Sequence, residues 1–118
     1  MSSPLILAID IGTSSTRAAL FDEGGHRLPG TLAQQTYNLI TTADGGAELE
    51  PGVLLGAVKH CLAQALHARR ADSTLRGRPI AAVGVSCFWH SFVGVDAKGR
   101  PVTRVVTIFC RPGGSSAI

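Results

Sequence analysis

The sequence of 118 residues lacks the features that mark several large classes of protein. Its three cysteines, Cys61, Cys87 and Cys110, are widely spaced, which argues against a disulfide framework and indicates buried thiols in a reducing compartment. Aromatic residues make up only 5% and the net charge is only +3, so no nucleic-acid partner is expected. The first apolar run has no basic start and is interrupted by Asp10, which excludes a signal peptide and a membrane span.

What the sequence does contain is apolar residues, at 45% against 16% charged residues. That balance excludes a disordered chain and favours a buried sheet. The length corresponds to one domain or part of one, with enough residues to bury a core. Composition alone therefore predicts a soluble, cytoplasmic α/β protein without a membrane partner.

The N-terminal half predicts a β-hairpin followed by a third strand. Two short apolar runs, at residues 5–11 and 15–22, are separated by a turn of small residues, which is typical of two paired and buried strands. The glycine-rich residues 23–25 predict the next turn, and the looser alternation over 26–39 predicts a more exposed strand.

A long helix and three further strands are predicted to follow. Pro51 suits a first helical turn, and five apolar residues over 53–70 fall on one helical stripe: Leu54, Val58, Leu62, Ala65 and Leu66. The continuous apolar run 80–85 predicts a central strand covered on both faces. Strands are also predicted at 92–95 and 102–109. The resulting order, β-β-β-α-β-β-β, predicts an α/β fold with a mixed sheet in which the helix leads to a parallel neighbour.

The turn between the first two strands carries the strongest chemical signal. Asp10 ends the first strand, Gly12 lets the backbone approach a ligand, and Arg17 begins the second apolar run. Thr13, Ser14 and Ser15 offer N–H and O–H donors to phosphate oxygens, and Asp10 can hold Mg²⁺ directly or through water. The turn has no lysine and no following helix, so it is not a Walker P-loop. The alternative is an ordinary hairpin whose hydroxyls bond their own backbone.

Residues 7–22 (LAIDIGTSSTRAALFD) resemble the first phosphate motif of the actin-like ATPase superfold, specifically that of the FGGY carbohydrate kinases. Three segments agree with that family in the same order: 46–51 (GAELEP), 82–86 (AVGVS) and 95–102 (VDAKGRPV). The resemblance covers about residues 5–105 and only the start of a kinase that is several-fold longer. It implies part of a ribonuclease H-like N-terminal domain.

The resemblance also implies roles for individual residues. Asp10 would be a catalytic carboxylate facing Mg²⁺ and the transferred phosphoryl group, while Gly12, Thr13, Ser14, Ser15 and Arg17 would meet the phosphates of ATP. Within the loop 86–91, Trp89 and His90 occupy the two places that touch the sugar in similar kinases. An indole can stack on a sugar and an imidazole can bond its hydroxyls. The alternative is a core aromatic residue and a structural histidine.

The implied reaction is ATP-dependent phosphorylation of a sugar or sugar acid, with gluconate as the first candidate. The family's catalytic base is expected downstream, so these residues alone should show little or no turnover. Residues 1–109 are assigned to the family's first domain. Residues 110–118 are expected to be a flexible tail outside it, produced by a shifted reading frame or a truncation.

Two alternatives stay open. One is a non-catalytic module that binds a nucleotide or sugar. The other is a non-functional truncated remnant that self-associates through an exposed sheet edge. Elsewhere, His60, Gln64 and His67 are more typical of helix surface than of a metal site. Cys61 is predicted to be a core residue and not a nucleophile.

Overall fold

The computed structural model describes residues 3–107, so the predicted strand end at 108–109, the tail 110–118 and Cys110 lie outside the described residues. Within 3–107 the helix and strands follow one another in this order: β1 (Leu5–Ile11), β2 (Ser15–Phe21), β3 (Ala33–Thr36), β4 (Ile40–Thr41), β5 (Ala47–Leu49), α1 (Pro51–Ala71), β6 (Ile80–Cys87) and β7 (Val105–Thr107). The bounds of β1 and the start of α1 agree with the sequence predictions.

The larger sheet is mixed and has the strand order β3-β2-β1-β6. β1 and β2 form the predicted antiparallel hairpin, in which Asp10 is the register partner of Arg17. β6 pairs with β1 in parallel, with Leu7 opposite Val83. The prediction that the helix leads to a parallel neighbour is therefore confirmed.

The core lies between this sheet and one face of α1. The strands β1 and β2 alternate, so that Leu5, Leu7 and Ile9 point to the same side as Ala18 and Leu20. The helix meets them with small side chains: Ala57, Cys61 and Ala65 are the buried ones, four residues apart. Small side chains let the helix lie close to the sheet.

The predicted apolar stripe of α1 was only partly right. Ala65 is buried, but Leu54, Val58, Leu62 and Leu66 are only partly buried because they flank the line of contact. Cys61 lies in the core as predicted, and its Sγ donates a hydrogen bond to the carbonyl oxygen of Thr16 at 3.3 Å. The predicted stripe consists mainly of large apolar side chains, but in the structure these border the contact with the sheet and smaller side chains form it.

The expectation that residues 80–85 form a central strand was wrong, because β6 is an edge strand. α1 packs on β2 and β3, toward the opposite edge of the sheet, and does not cover β6. Val83 and Val85 therefore keep 57% and 62% of their surface exposed. No strand within residues 3–107 pairs with the outer side of β6. Cys87, at the end of this strand, is exposed, which corrects the expectation that it is a buried thiol.

A second, three-stranded antiparallel sheet with the order β4-β5-β7 was not predicted. The predicted strand over 26–39 is reduced to β3, preceded by a single bridge between Phe21 and Arg27. The predicted strand at 92–95 is replaced by two isolated bridges, which pair Phe92 with Val106 and Val95 with Pro101. Arg104 joins this sheet to the start of α1, since it pairs with both Glu48 and Glu50.

Asp22 and Asp96 close two similar turns, as the sequence predicted. Asp22 Oδ1 accepts hydrogen bonds from the N–H groups of Gly24 and His26, each at 2.9 Å. Asp96 accepts the N–H groups of Lys98 and Arg100 in the same way. These N–H groups stabilise the carboxylate form, and the pKa of each aspartate lies below its usual value.

None of the helical structure in residues 3–107 combines the length and apolarity needed to cross a lipid bilayer.

Burial in this fold predicts unequal costs for two truncations in the larger sheet. Leu20 is fully buried, so Leu20→Ala should lower the free energy of unfolding by about 2–5 kcal/mol. Val83→Ala removes an exposed side chain on β6 and should cost less than about 1 kcal/mol. Urea unfolding followed by circular dichroism measures both. Equal losses in the two variants would contradict the placement of β6 at an exposed edge.

Candidate functional site

The parallel pairing of β1 and β6 brings the two predicted groups of site residues to one edge of the sheet. Asp10 is the register partner of Ser86, and Ile11 that of Cys87. The pairing continues one residue further, because the N–H of Phe88 donates to the carbonyl oxygen of Ile11 at 3.1 Å. The turn after β1 and the loop after β6 therefore leave the sheet side by side, at the carboxyl ends of two parallel strands.

Asp10 and Arg17 form an ion pair on the face of the sheet opposite α1. Arg17 Nη2 lies 3.2 Å from Asp10 Oδ2, and both side chains are about half exposed, at 52% and 51%. An ion pair this exposed contributes about 0–1 kcal/mol to stability. The pair is thus accessible to a ligand, and the fold does not depend on it.

The carboxylate of Asp10 fits the demands of Mg²⁺. Arg17 contacts only Oδ2, and no residue within 3–107 donates a hydrogen bond to Oδ1. The same part of the chain holds no cluster of three His, Cys, Asp or Glu residues that would enclose a metal ion. Mg²⁺ bound beside phosphates characteristically uses one or two carboxylates and keeps several waters, so a single accessible carboxylate is suitable.

The turn after β1 is tight and leaves donors available. The N–H of Gly12 donates to the carbonyl oxygen of Ser15 at 2.9 Å, and a Cβ on Gly12 would lie 3.0 Å from that oxygen. Ser15 Oγ accepts a hydrogen bond from Gln34 at 3.2 Å. The N–H groups of Thr13 and Ser14 have no hydrogen-bond acceptor within residues 3–107. Two backbone donors are thus available for an anion in the turn that the sequence singled out.

Tyr37 lies outside this turn and holds it by hydrogen bonds. The sequence analysis did not identify this residue. Its Oη donates to the carbonyl oxygen of Gly12 and lies 3.1 Å from Thr16 Oγ1. Its own N–H donates to the carbonyl oxygen of Ser14 at 3.0 Å. Partial burial raises the pKa of the Tyr37 phenol above the usual value. The one available signal was that this single tyrosine follows a strand of polar residues.

Trp89 and His90 lie in the loop after β6, and neither belongs to the core. Trp89 is 81% exposed, and its ring centroid is 6.1 Å from that of His90 in an edge-on arrangement. His90 has a left-handed backbone with φ of 53°, which costs a residue other than glycine some stability. Ser91 Oγ ties the loop to β7 by donating to Thr107 Oγ1 at 2.7 Å. The exposure of Trp89 argues against the alternative of a core aromatic residue.

The remaining candidates are structural. His60, Gln64 and His67 are exposed on α1, as the surface interpretation predicted. Burial raises the pKa of the Cys61 thiol, which disfavours the thiolate that a nucleophile needs. Neither group is part of the site.

A groove of about 580 Å³ runs along the sheet face that carries the ion pair. The strand registers place Arg17, Asp10 and Ser86 in one row across β2, β1 and β6. The next row on the same face consists of small residues, which form the floor of the groove: Ala19, Ala8 and Gly84. The polar row therefore borders a shallow, apolar depression.

Residues 5–114 match the model of the FGGY family of carbohydrate kinases, N-terminal domain. The chain belongs to the FGGY family of carbohydrate kinases. It is 32% identical over 112 residues to glycerol kinase from Francisella philomiragia, a match that covers 94% of this chain and 21% of the relative. It is 31% identical over 104 residues to gluconokinase from Bacillus subtilis, covering 86% of this chain and 18% of the relative.

The solved structures agree with this assignment. Gluconate kinase from Lactobacillus acidophilus superposes with a TM-score of 0.73 at 26% identity, covering 90% of this chain and 20% of that one. The predicted actin-like ATPase fold, with its mixed sheet, is thereby confirmed. The chain spans about a fifth of the length of these relatives.

The environment of Tyr37 predicts an abnormal titration of its phenol. Folding favours the neutral phenol, so the folded chain should titrate above pH 10.0 and the denatured chain close to it. A raised pKa stabilises the fold fully below pH 10.0, and this contribution is lost as the pH rises through the folded value. The phenolate absorbance in the ultraviolet reports this residue alone, since the sequence has one tyrosine. Equal midpoints in buffer and in urea would contradict the burial of Tyr37.

Proposed function

We propose that these residues supply the phosphate-binding side of an ATP-dependent carbohydrate kinase that phosphorylates a hydroxyl of a sugar or sugar acid, with gluconate as the first candidate. The observation that carries the proposal is the convergence at one sheet edge. The accessible Asp10–Arg17 pair and the turn with available N–H donors lie there, next to the loop that presents Trp89 and His90. Family membership supports the reaction class.

In this proposal the turn and Arg17 bind the phosphates of ATP. The guanidinium has five N–H donors, and Asp10 occupies one position of that fork, so Arg17 can contact a phosphate oxygen while it keeps its partner. The N–H groups of Thr13 and Ser14, with the hydroxyls of Thr13, Ser14 and Ser15, add donors directed at the same charge. Donors fixed before the reaction stabilise the charge that spreads over the transferred phosphoryl group.

Asp10 has two roles in the proposed site. It would hold Mg²⁺ directly or through water, and when bound the ion neutralises charge on the phosphate oxygens. It also orients the guanidinium of Arg17 through the contact at 3.2 Å.

Trp89 and His90 are proposed to bind the sugar. The indole is exposed, so its face can stack on the apolar side of a sugar without rearrangement of the loop, and the imidazole can hydrogen-bond hydroxyl groups. The gluconokinase and gluconate kinase among the relatives support the choice of a sugar acid. The glycerol kinase makes glycerol the acceptor to test against it.

We further propose that the 118 residues do not turn over by themselves and that the protein acts in the cytoplasm, where ATP and sugars meet. Phosphoryl transfer depends mainly on positioning both substrates. The described residues offer donors for phosphate and groups for the sugar. The carboxylate that the resemblance implies as general base, an aspartate further along a complete kinase, is not among the assigned residues.

The available ion pair predicts nucleotide binding that depends on Asp10. Isothermal titration calorimetry of the 118-residue chain with Mg·ATP should show binding, and Asp10→Asn should weaken it by roughly tenfold or more, because a charge-assisted contact is lost. Glu23→Gln is the matched control, since it removes an exposed carboxylate from a different turn and should leave binding unchanged.

Two results would contradict this proposal. Equal binding by the wild-type chain and Asp10→Asn would remove Asp10 from the phosphate site. ATP-dependent phosphorylation of gluconate or glycerol by the purified chain would overturn the expected lack of turnover.

The remnant alternative makes its own prediction, because β6 offers an edge for self-association. The strand has eight residues without charge or proline, and Val85 is 62% exposed. Light scattering at increasing concentration should show association that Val85→Lys suppresses, since a lysine on an edge strand opposes pairing. Leu55→Lys, at a similarly exposed position on α1, is the control and should associate like the wild type. A monomer at all concentrations would contradict self-association through this edge.

A further inference from the structure

We propose that Tyr37 is a positioning residue that aims the backbone donors of the turn 12–16 toward the bound phosphates. The inference rests on the proposed function of that turn and adds a residue that neither the motif nor the family resemblance assigned. It is drawn from contacts that residues far apart in sequence make in the fold.

Tyr37 contacts the turn at its start, its middle and its end. The backbone of Tyr37 continues the pairing of β2 with β3, in which Ser15 is opposite Thr36, and donates its N–H to the carbonyl oxygen of Ser14 at 3.0 Å. Its side chain crosses the turn and places Oη between the carbonyl oxygen of Gly12 and Thr16 Oγ1. Both ends of the turn are thereby joined through one phenol oxygen.

The directions of these hydrogen bonds follow from the number of protons. A carbonyl oxygen only accepts, so the phenol proton of Tyr37 goes to Gly12, and Oη must accept from the hydroxyl of Thr16. Thr16 is fully buried on the side of α1, where its rotation is restricted. The result is a directed chain from Thr16 through Tyr37 to Gly12, in which each bond polarises the next.

Because the peptide bond is planar, a hydrogen bond that holds a carbonyl group also fixes the direction of the N–H group in the same peptide unit. In a trans peptide the C=O of one residue and the N–H of the next lie in one plane and point in opposite directions. Fixing the carbonyl of Gly12 on Tyr37 therefore directs the N–H of Thr13 away from the tyrosine. Fixing the carbonyl of Ser14 in the same way directs the N–H of Ser15. Tyr37 thus fixes the directions of the N–H groups of Thr13 and Ser15, and the former is one of the two available donors of the turn.

The phenol hydroxyl of Tyr37 contributes more than the ring to fixing the turn, because it makes both side-chain hydrogen bonds. The tyrosine is only partly buried, so a phenylalanine keeps the ring in place and removes one donor and one acceptor. Water can then reach the carbonyl of Gly12 without holding it in one direction. The expected consequence is a turn that opens more often within a sheet that is otherwise unchanged.

The test compares Tyr37→Phe with the wild-type chain by two measurements. Amide hydrogen exchange followed by NMR should show the N–H of Gly12, which is bonded to Ser15, exchanging about three- to tenfold faster, the range expected for one lost hydrogen bond. Exchange in the centre of β1 should change less than that. Calorimetry with Mg·ATP should show affinity lowered by a similar factor.

Thr31→Val is the matched control for a merely structural effect. Thr31 is buried, its hydroxyl, like that of Tyr37, bonds backbone groups, here of Leu20 and Leu28, and it lies away from the turn. Its loss should lower global stability and speed exchange throughout the sheet, without a selective effect at Gly12 or on Mg·ATP affinity.

The outcomes separate this inference from the function on which it rests. Unchanged exchange at Gly12 in Tyr37→Phe, or faster exchange with unchanged affinity, would overturn the positioning role. If the wild-type chain binds no Mg·ATP, the proposed function fails, and the exchange data alone decide whether Tyr37 holds the turn.

Discussion

The parallel pairing of β1 with β6 is the constraint on which the rest of the structure depends. Parallel neighbours cannot be joined by a tight turn, so the 68 residues between these strands must cross over, and α1 makes that crossing on one face of the sheet. The same pairing aligns the carboxyl ends of the two strands. The turn after β1 and the exposed aromatic loop after β6, which are far apart in sequence, thereby become neighbours.

Local features of this fold could be predicted because they depend on residues close in sequence. The alternation in β1 and β2, the proline at the start of α1 and the aspartates that close two turns each carry their own signal. The placement of β6 could not be predicted in this way. Its apolar run predicts burial on both faces, whereas burial is decided by what packs against the strand, and α1 covers β2 and β3 instead. The second sheet was missed because its strands have only two or three residues.

The candidate site likewise contains residues that could be predicted from a local pattern and one residue that could not. Asp10, Gly12 and Arg17 were found from a short pattern in which the residue types explain the chemistry, and the structure places the charged pair in contact. Tyr37 was missed because its role arises from hydrogen bonds to residues 21 and 25 positions away. No spacing rule connects a residue after β3 with a turn after β1. Prediction from sequence therefore identifies candidate ligand-binding groups more readily than the residues that hydrogen-bond their backbone.

The left-handed backbone of His90 has a consequence for how this loop can vary. Glycine would adopt the same φ without strain, so the local backbone energy favours replacing the histidine, whereas an imidazole at this position requires the chain to keep a less stable conformation. In the proposed site, stability and sugar binding thus make opposite demands on His90. Selection for thermal resistance alone would be expected to remove the imidazole, and its retention in a stabilised variant would have to be enforced by selection for activity.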